Sequence, residues 1–334
     1  MAKQVLVVGG GSIGERHARC FGKVDGVAVS MCEINPQLLE QLNAKYAFER
    51  TFTNWDDVPL GDFDVAVICT PANFHLPMVS RALECGCHVL CEKPLAVDPQ
   101  GADEVIEQAK RSGLTTAVAY VWRCNAATRA LKEVIGSGRL GPIRQVVGFW
   151  GQHFPTFRPA YAKVYYKDHK TGGGAIQDAI THNINAIEWM LGPSQSVYCD
   201  ADHMVLPDVE VEDTVAMTLR FPQSAIGVMT INQFQKPNQG FYEFVGVETS
   251  ARFWYPTMSV EVFDPQTQKW DGKAYPIHDR DEMFIAQAET FLRCVETGEP
   301  VPCTLEEGLA TLRTIRAAFQ SWETGRAVKT GNSA

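Results

Sequence analysis

An aspartate and a histidine four residues apart, Asp178 and His182, follow the glycine run Gly172-Gly173-Gly174. On a helix that spacing puts both side chains on one face. The face continues through Asn185 and Trp189, and Ile180, Ile184, Ile187 and Leu191 form the opposite, core-facing stripe. The glycines leave room for a ligand at the positive end of such a helix. A third candidate is Lys93 in Cys91-Glu92-Lys93-Pro94, at the carboxyl end of an expected strand and before a bond suited to the cis form. Histidine titrates near neutrality and is a natural acceptor for a hydroxyl proton. A lysine can hold the reacting oxygen and stabilise alkoxide charge as it develops. Together these groups suit oxidation of a secondary alcohol, in which a proton leaves oxygen as hydride leaves carbon. His182 is the expected general base and Lys93 the electrostatic stabiliser, with their exchange of roles left open. Asp178 either orients His182 or accepts from a neighbouring substrate hydroxyl. Taken alone, Asp178 and His182 read as an ordinary solvated helix pair, and it is Glu92-Lys93-Pro94 and the glycine run that make them catalytic candidates.

The hydride needs an acceptor, and the N-terminus offers a place for one. Directly after the apolar run Val5-Leu6-Val7-Val8 stands Gly9-Gly10-Gly11-Ser12-Ile13-Gly14, a G-x-G-x-x-G sequence between an expected strand and helix. Gly9 serves the tight turn, Gly11 the approach of backbone N–H groups to a pyrophosphate, and Gly14 close helix–strand packing. Ser12 and Ile13 begin the helix whose positive end faces the phosphates. About twenty residues on, Glu33 ends the second strand, placed to accept from the adenosine ribose hydroxyls. Its charge opposes a 2′-phosphate, and Ile34 and Asn35 bring no cation, which favours NAD over NADP. The alternative is that Glu33 only caps the following helix. The turn Cys69-Thr70-Pro71-Ala72-Asn73-Phe74-His75, beyond the next strand, is expected to line the cofactor groove, with Asn73 either there or capping the next helix.

The elements that must position these groups follow two patterns. In the first third, unbroken β-rich runs (Gln4–Val8, Val27–Met31, Asp64–Cys69, His88–Cys91, Thr115–Ala119) alternate with amphipathic stretches, which implies βαβ units and a doubly wound parallel sheet. Beyond a helix at Ala126–Ile135 and a strand at Ile143–Trp150 comes an aromatic, basic loop, then the helix Ala175–Leu191. Strands at Ser196–Val205, Asp213–Phe221, Ala225–Gln233, Gly240–Val247 and Ala251–Trp254 lack crossover helices and predict a mainly antiparallel sheet. Helices at Asp281–Glu296 and, with Thr304 as N-cap, Leu305–Glu323 close the chain, and Lys329–Ala334 are expected to be disordered. The division is an α/β dinucleotide-binding domain over residues 1–121 and an α+β domain over 122–328. On the substrate side stand Trp122 and Arg123 at the junction, and Arg158, Tyr161, Tyr165 and Tyr166 in the loop. Aromatic faces and donors suit sugar rings, an arginine suits a carboxylate or phosphate, and packing is the competing role for each.

The 334 residues exceed one ordinary core. With 45% hydrophobic and 21% charged residues the composition is that of a water-soluble globular protein. A net charge of −9 argues against nucleic acid and anionic membranes as partners. The first apolar run is too short for a signal peptide or a membrane span, so the cytoplasm is the expected compartment. The ten cysteines stand singly, often inside apolar runs, as reduced core residues do. Cys85, Cys87 and Cys91 lack the second ligand pair a structural zinc needs, so no metal is expected.

The glycine fingerprint, the Thr-Pro…His turn, Glu-Lys-Pro and Gly-Gly…Asp-x-x-x-His, in this order, resemble the glucose–fructose oxidoreductase / inositol dehydrogenase / MocA family over nearly the whole chain. The resemblance implies a Rossmann domain and an α/β domain whose open sheet mediates oligomerisation, as a homodimer or homotetramer. It implies that Lys93, Asp178 and His182 occupy the family's Lys, Asp and His active-site positions, and that Glu92 and Gln177 lie with the cofactor-binding set. The sequence departs from the family at Tyr120-Val121-Trp122-Arg123-Cys124, where only Arg123 is shared. The implied activity is hydride transfer between a nicotinamide and a hydroxyl or keto group of a sugar, cyclitol or sugar derivative. The alternative is a redox-neutral enzyme with tightly held NAD, of the glycosidase, epimerase or lyase type.

Overall fold

The computed structural model describes residues 2–163 and 165–331. In chain order it contains β1 (Lys3–Val8), α1 (Ser12–Phe21), β2 (Val27–Cys32), α2 (Pro36–Tyr46), β3 (Thr51–Phe52), β4 (Val65–Ile68), α3 (His75–Glu84), β5 (His88–Cys91), α4 (Ala102–Ser112) and β6 (Thr116–Val118). There follow α5 (Ala126–Gly136), β7 (Ile143–His153), the single turn α6 (Phe154–Phe157), a π-helical segment Ala175–Ile180 and α7 (Thr181–Leu191). The chain ends with β8 (Ser196–Asp202), β9 (Thr214–Arg220), β10 (Ile226–Asn232), β11 (Phe234–Gly246), β12 (Ser250–Trp254), β13 (Ser259–Asp264), β14 (Lys269–Ala274), α8 (Asp281–Thr297), α9 (Leu305–Thr324) and β15 (Val328–Lys329).

These elements form two compact units, residues 1–124 with 278–309 and residues 125–277 with 310–334. The first holds a parallel sheet in the order β3-β2-β1-β4-β5-β6, the doubly wound arrangement of a dinucleotide-binding fold. Val5 to Val8 and Val65 to Ile68 are buried along their whole length, which is why these strands read as unbroken apolar runs. Strand ends are followed by helix starts of known chemistry: Asn35 accepts from the Gln37 and Leu38 amides, and Pro36 takes the first turn of α2. The core continues into α8, whose Ala288, Phe291 and Leu292 pack with Phe21 of α1, Val5 and Val67.

The second unit holds a nine-stranded sheet in the order β14-β13-β12-β11-β7-β10-β9-β8-β15. It is antiparallel except for the β7–β10 pair. The alternating burial of β8 and β9 shows one face packed and one face open. Four strands go beyond the sequence reading: β3, β13, β14 and β15. The last corrects the expectation of a disordered tail. Val328 and Lys329 pair with Val197 and Ser196, and the Thr330 amide and hydroxyl donate to Gln195 and Ser194 carbonyls. Only residues 332–334 of that expectation lie outside the described residues. No helix among the described residues is long and apolar enough to cross a membrane.

Candidate active site

In the first unit the sequence-selected groups gather at the carboxyl edge of the parallel sheet. Gly9 turns with φ of 94°, and a Cβ on Gly14 would lie 1.7 Å from the Gly9 carbonyl oxygen, so α1 sits against the turn as closely as backbone allows. Gly11 differs: a Cβ there would meet no protein atom within 4 Å. It opens onto space at the start of α1, beside the exposed Ser12 and half-buried Ile13. That is a cradle shaped for a phosphate rather than for a side chain, and the residues present fit a dinucleotide.

Glu33 is tied to this loop. Its Oε2 accepts from the Gly10 amide at 2.5 Å and its Oε1 from the Asn35 amide at 2.8 Å. The cap of α2 is Asn35, so Glu33 is anchored to the glycine turn and presents a carboxylate there. Cys69 is buried, and its carbonyl lies 2.9 Å from where a Gly9 Cβ would stand, so the 69–70 backbone closes one side of the loop. Pro71 and Asn73 are exposed, and the first turn of α3 has no side-chain cap, which removes the capping role for Asn73.

His75 requires a correction. It is buried, with Nδ1 2.8 Å from the Pro94 carbonyl and Nε2 2.8 Å from the Thr70 carbonyl. Both ring nitrogens are committed to backbone, so the ring staples two turns rather than meeting a ligand. Burial lowers its pKa, against the pull of the two carbonyls. Glu92 is buried too: Oε1 pairs with His17 Nε2 at 2.7 Å, and Oε2 accepts from the Lys93 amide at 2.9 Å. Lys93 is half-buried, and the Lys93–Pro94 peptide is cis. Trp122 is half-buried, whereas Arg123 is buried, its Nη1 2.9 Å from the Pro302 carbonyl and 2.7 Å from Glu307 Oε1. The Thr304 hydroxyl and Glu307 carboxylate form a reciprocal capping box at the start of α9.

In the second unit the Asp178/His182 helix is not a plain α-helix. Residues 175–180 wind as a π-helix before α7 takes over, a distortion frequent at functional sites. The helix is buried nearly all round. Asn183 donates to the Tyr242 hydroxyl at 2.5 Å, and Asn185 donates to the Thr311 hydroxyl at 3.0 Å, so Asn185 is buried rather than sharing an open face with Asp178 and His182. Between Ala175 and Met190 only Asp178, Ala179, His182 and Trp189 are half-exposed.

The helix's positive end is also not left for a ligand. Glu212, fully buried before β9, accepts the Ile176 amide on Oε1 at 2.7 Å, and its carbonyl accepts the Ala175 amide at 3.0 Å. A Cβ on Gly174 would overlap this carboxylate at 2.5 Å, so the glycine run makes room for Glu212. Glu212 Oε2 in turn pairs with His169 Nε2 at 2.5 Å, a bond that raises the His169 pKa. Gln177 donates to the His169 carbonyl at 3.1 Å. Sequence reasoning missed the His169–Glu212 pair, because an isolated acid before a strand carries no local signal.

The aromatic loop divides. Arg158 is half-buried, and the side chain of Tyr165 lies outside the described residues. Tyr161 is a packing residue: its ring joins Phe154, Tyr166, Leu206, Val209 and Val211 in a satellite core, and its hydroxyl donates to the Pro207 carbonyl at 2.8 Å. Among the described residues no group of three His, Cys, Asp or Glu side chains is arranged to hold a metal ion.

A doubly wound sheet with an open glycine cradle and an acid at the second strand defines a dinucleotide-binding protein. Residues 3–120 match the oxidoreductase family with an NAD-binding Rossmann fold, and residues 128–252 match the GFO/IDH/MocA C-terminal domain. The chain belongs to the glucose–fructose oxidoreductase / inositol dehydrogenase / MocA family of NAD-binding oxidoreductases. It is 24% identical to myo-inositol 2-dehydrogenase of Thermotoga maritima, over 98% of both chains. It is 26% identical to levoglucosan dehydrogenase of Pseudarthrobacter phenanthrenivorans, over 75% of this chain and 73% of that protein. A solved levoglucosan dehydrogenase in complex with NADH shares the fold, with a TM-score of 0.88 at 22% identity over all of both chains.

Proposed function

We propose that this chain transfers a hydride between NAD and a hydroxyl-bearing carbon of a sugar, cyclitol or sugar derivative. The observation that carries the reading is the open strip on an otherwise buried helix: an acid and a histidine, Asp178 and His182, are the two titratable groups between Ala175 and Met190 that keep access. Relatives that are inositol and levoglucosan dehydrogenases supply the substrate class.

NAD, when bound, supplies the hydride acceptor. Gly9 to Gly14 would hold its pyrophosphate at the N-terminus of α1, with Ser12 and Ile13 in the first turn. Glu33 would accept from the ribose hydroxyls and select against a 2′-phosphate. Cys69, Thr70, Pro71 and Asn73 would border the groove, with Glu92 positioning the turn behind it, and Gln177 is kept with the cofactor-binding set. His182 takes the hydroxyl proton, Asp178 orients it, and Lys93 stabilises the oxygen as charge builds. Trp122 and Arg158 are the substrate-side group, Arg123 being sealed against Glu307 and the Pro302 carbonyl, and the open face of the nine-stranded sheet is the assembly surface of a homo-oligomer.

The test is a panel of aldoses, cyclitols, uronates and anhydrosugars with NAD⁺ and with NADP⁺, followed by absorbance of the reduced cofactor. Lys93→Ala and His182→Ala should each lower kcat by roughly 10²–10⁴-fold. Near-wild-type turnover in either variant removes that residue from the mechanism. Product formation without reduced cofactor accumulating would replace net oxidation with a redox-neutral cycle.

A further inference from the structure

His17 lies on α1 eight residues after the first glycine, sealed to 1% exposure among Phe21 and Phe284 rings. Its Nε2 meets Glu92 Oε1 at 2.7 Å, while its buried Nδ1 has no hydrogen-bond partner. As a stability device this is a poor choice. It buries an unsatisfied nitrogen and a carboxylate where two well-packed apolar side chains would carry no polar cost. What the imidazole adds, and a phenyl ring cannot, is the bond to Glu92. The other Glu92 oxygen accepts the Lys93 amide at 2.9 Å, and the next carbonyl, that of Pro94, meets His75 at 2.8 Å. The lysine is thus carried on a turn held from both sides, with one of the holds rooted in the helix that begins at the glycine loop.

We propose that His17 is a positioning residue: through Glu92 it fixes the peptide bearing Lys93, so that the glycine-loop helix and the lysine turn move as one body. The proposal rests on the reading that Lys93 acts on the reacting oxygen. A displacement of about 1 Å in a group of that kind costs up to about 100-fold in rate. His17→Phe should therefore lower turnover roughly 10–100-fold on whichever panel substrate the wild type oxidises fastest. Its melting temperature should fall by several degrees, since Glu92 Oε1 is left buried without its partner, while NADH affinity by fluorescence titration should stay within about threefold. His17→Gln, which keeps a donor towards Glu92, should recover most of the loss.

Two further measurements separate this from a structural role. In a Lys93→Met background His17→Phe should cost less than about twofold, since the interaction it acts through is gone. In the cofactor-free protein, hydrogen exchange across residues 92–97 should quicken by about tenfold in His17→Phe. Full additivity in the double variant, or exchange at 92–97 that quickens no more than in the rest of the first unit, each overturns the proposal. Wild-type turnover in Lys93→Met alone sinks the catalytic reading of the lysine and leaves the exchange result to judge His17. Should His17→Phe not fold, Glu92→Gln takes its place in both measurements, with the same outcomes deciding.

Discussion

Replacing Gly11 with alanine tests the dinucleotide reading without disturbing the fold. At this position φ is −59° and ψ is 179°, values an L-residue adopts freely, and the added methyl would meet no protein atom within 4 Å. Two small effects on the empty protein oppose each other. Alanine narrows the unfolded ensemble, worth about 0.4–1 kcal/mol, and is a poorer N-cap than glycine by a similar amount. The melting temperature should stay within about 3 °C of wild type. With cofactor the methyl occupies the space where the pyrophosphate approaches the N–H groups of the first helical turn. Loss of one or two charge-assisted hydrogen bonds, about 1.5–3 kcal/mol each, weakens NADH by roughly 10–10⁴-fold. Thermal unfolding and NADH fluorescence titration read the two effects separately. Gly14→Ala is the contrast: its Cβ falls 1.7 Å from the Gly9 carbonyl oxygen, so both stability and affinity should fall. If Gly11→Ala binds NADH within about threefold of wild type, the open space is not the cradle and the reasoning fails.

Glu33→Gln keeps the shape of the side chain bonded to Gly10 and removes its charge. A 2′-phosphate charge about 5 Å from this carboxylate, at an effective dielectric of about 20, is opposed by about 3 kcal/mol, so kcat/KM with NADP⁺ relative to NAD⁺ should rise about 100-fold; an unchanged ratio would refute the role of Glu33. His169 has its pKa raised by the bond to Glu212. Its stabilising effect is therefore fully present below the unfolded histidine value of about 6.5 and lost as pH rises through the raised folded value. The difference in urea midpoint between wild type and His169→Gln should narrow as pH rises above about 6.5, and a pH-independent difference would exclude the ion pair.

The first sheet was legible because its strands are covered on both faces, so β1, β2, β4 and β5 announce themselves as apolar runs bounded by glycine or charge. Thr51–Phe52, at the sheet edge, is two residues long and has no pattern to read. Lys269–Ala274 is exposed along most of its length and reads as a loop, although β13 pairs with it over six residues. The spacing of Asp178 and His182 was visible, but not the π-helical winding, which depends on how Glu212 seats the first amides of the segment. His75 and Tyr161 were placed near ligands on residue type alone. Their destinations are set by the Thr70, Pro94 and Pro207 carbonyls, which only the folded chain brings within reach.

The closing of the first core by Phe291 and Leu292, from a helix encoded after eight of the nine strands of the second sheet, bears on how the protein can be divided. A gene fragment stopping at Cys124 lacks the side chains that cover Phe21 and carries the Arg19 guanidinium without its Asp281 partner. Such a fragment should be expressed as sticky, poorly folded material. A permuted gene that splices residues 278–309 onto residues 1–124 restores the missing wall, and is the piece from which a free-standing nucleotide-binding half could be built.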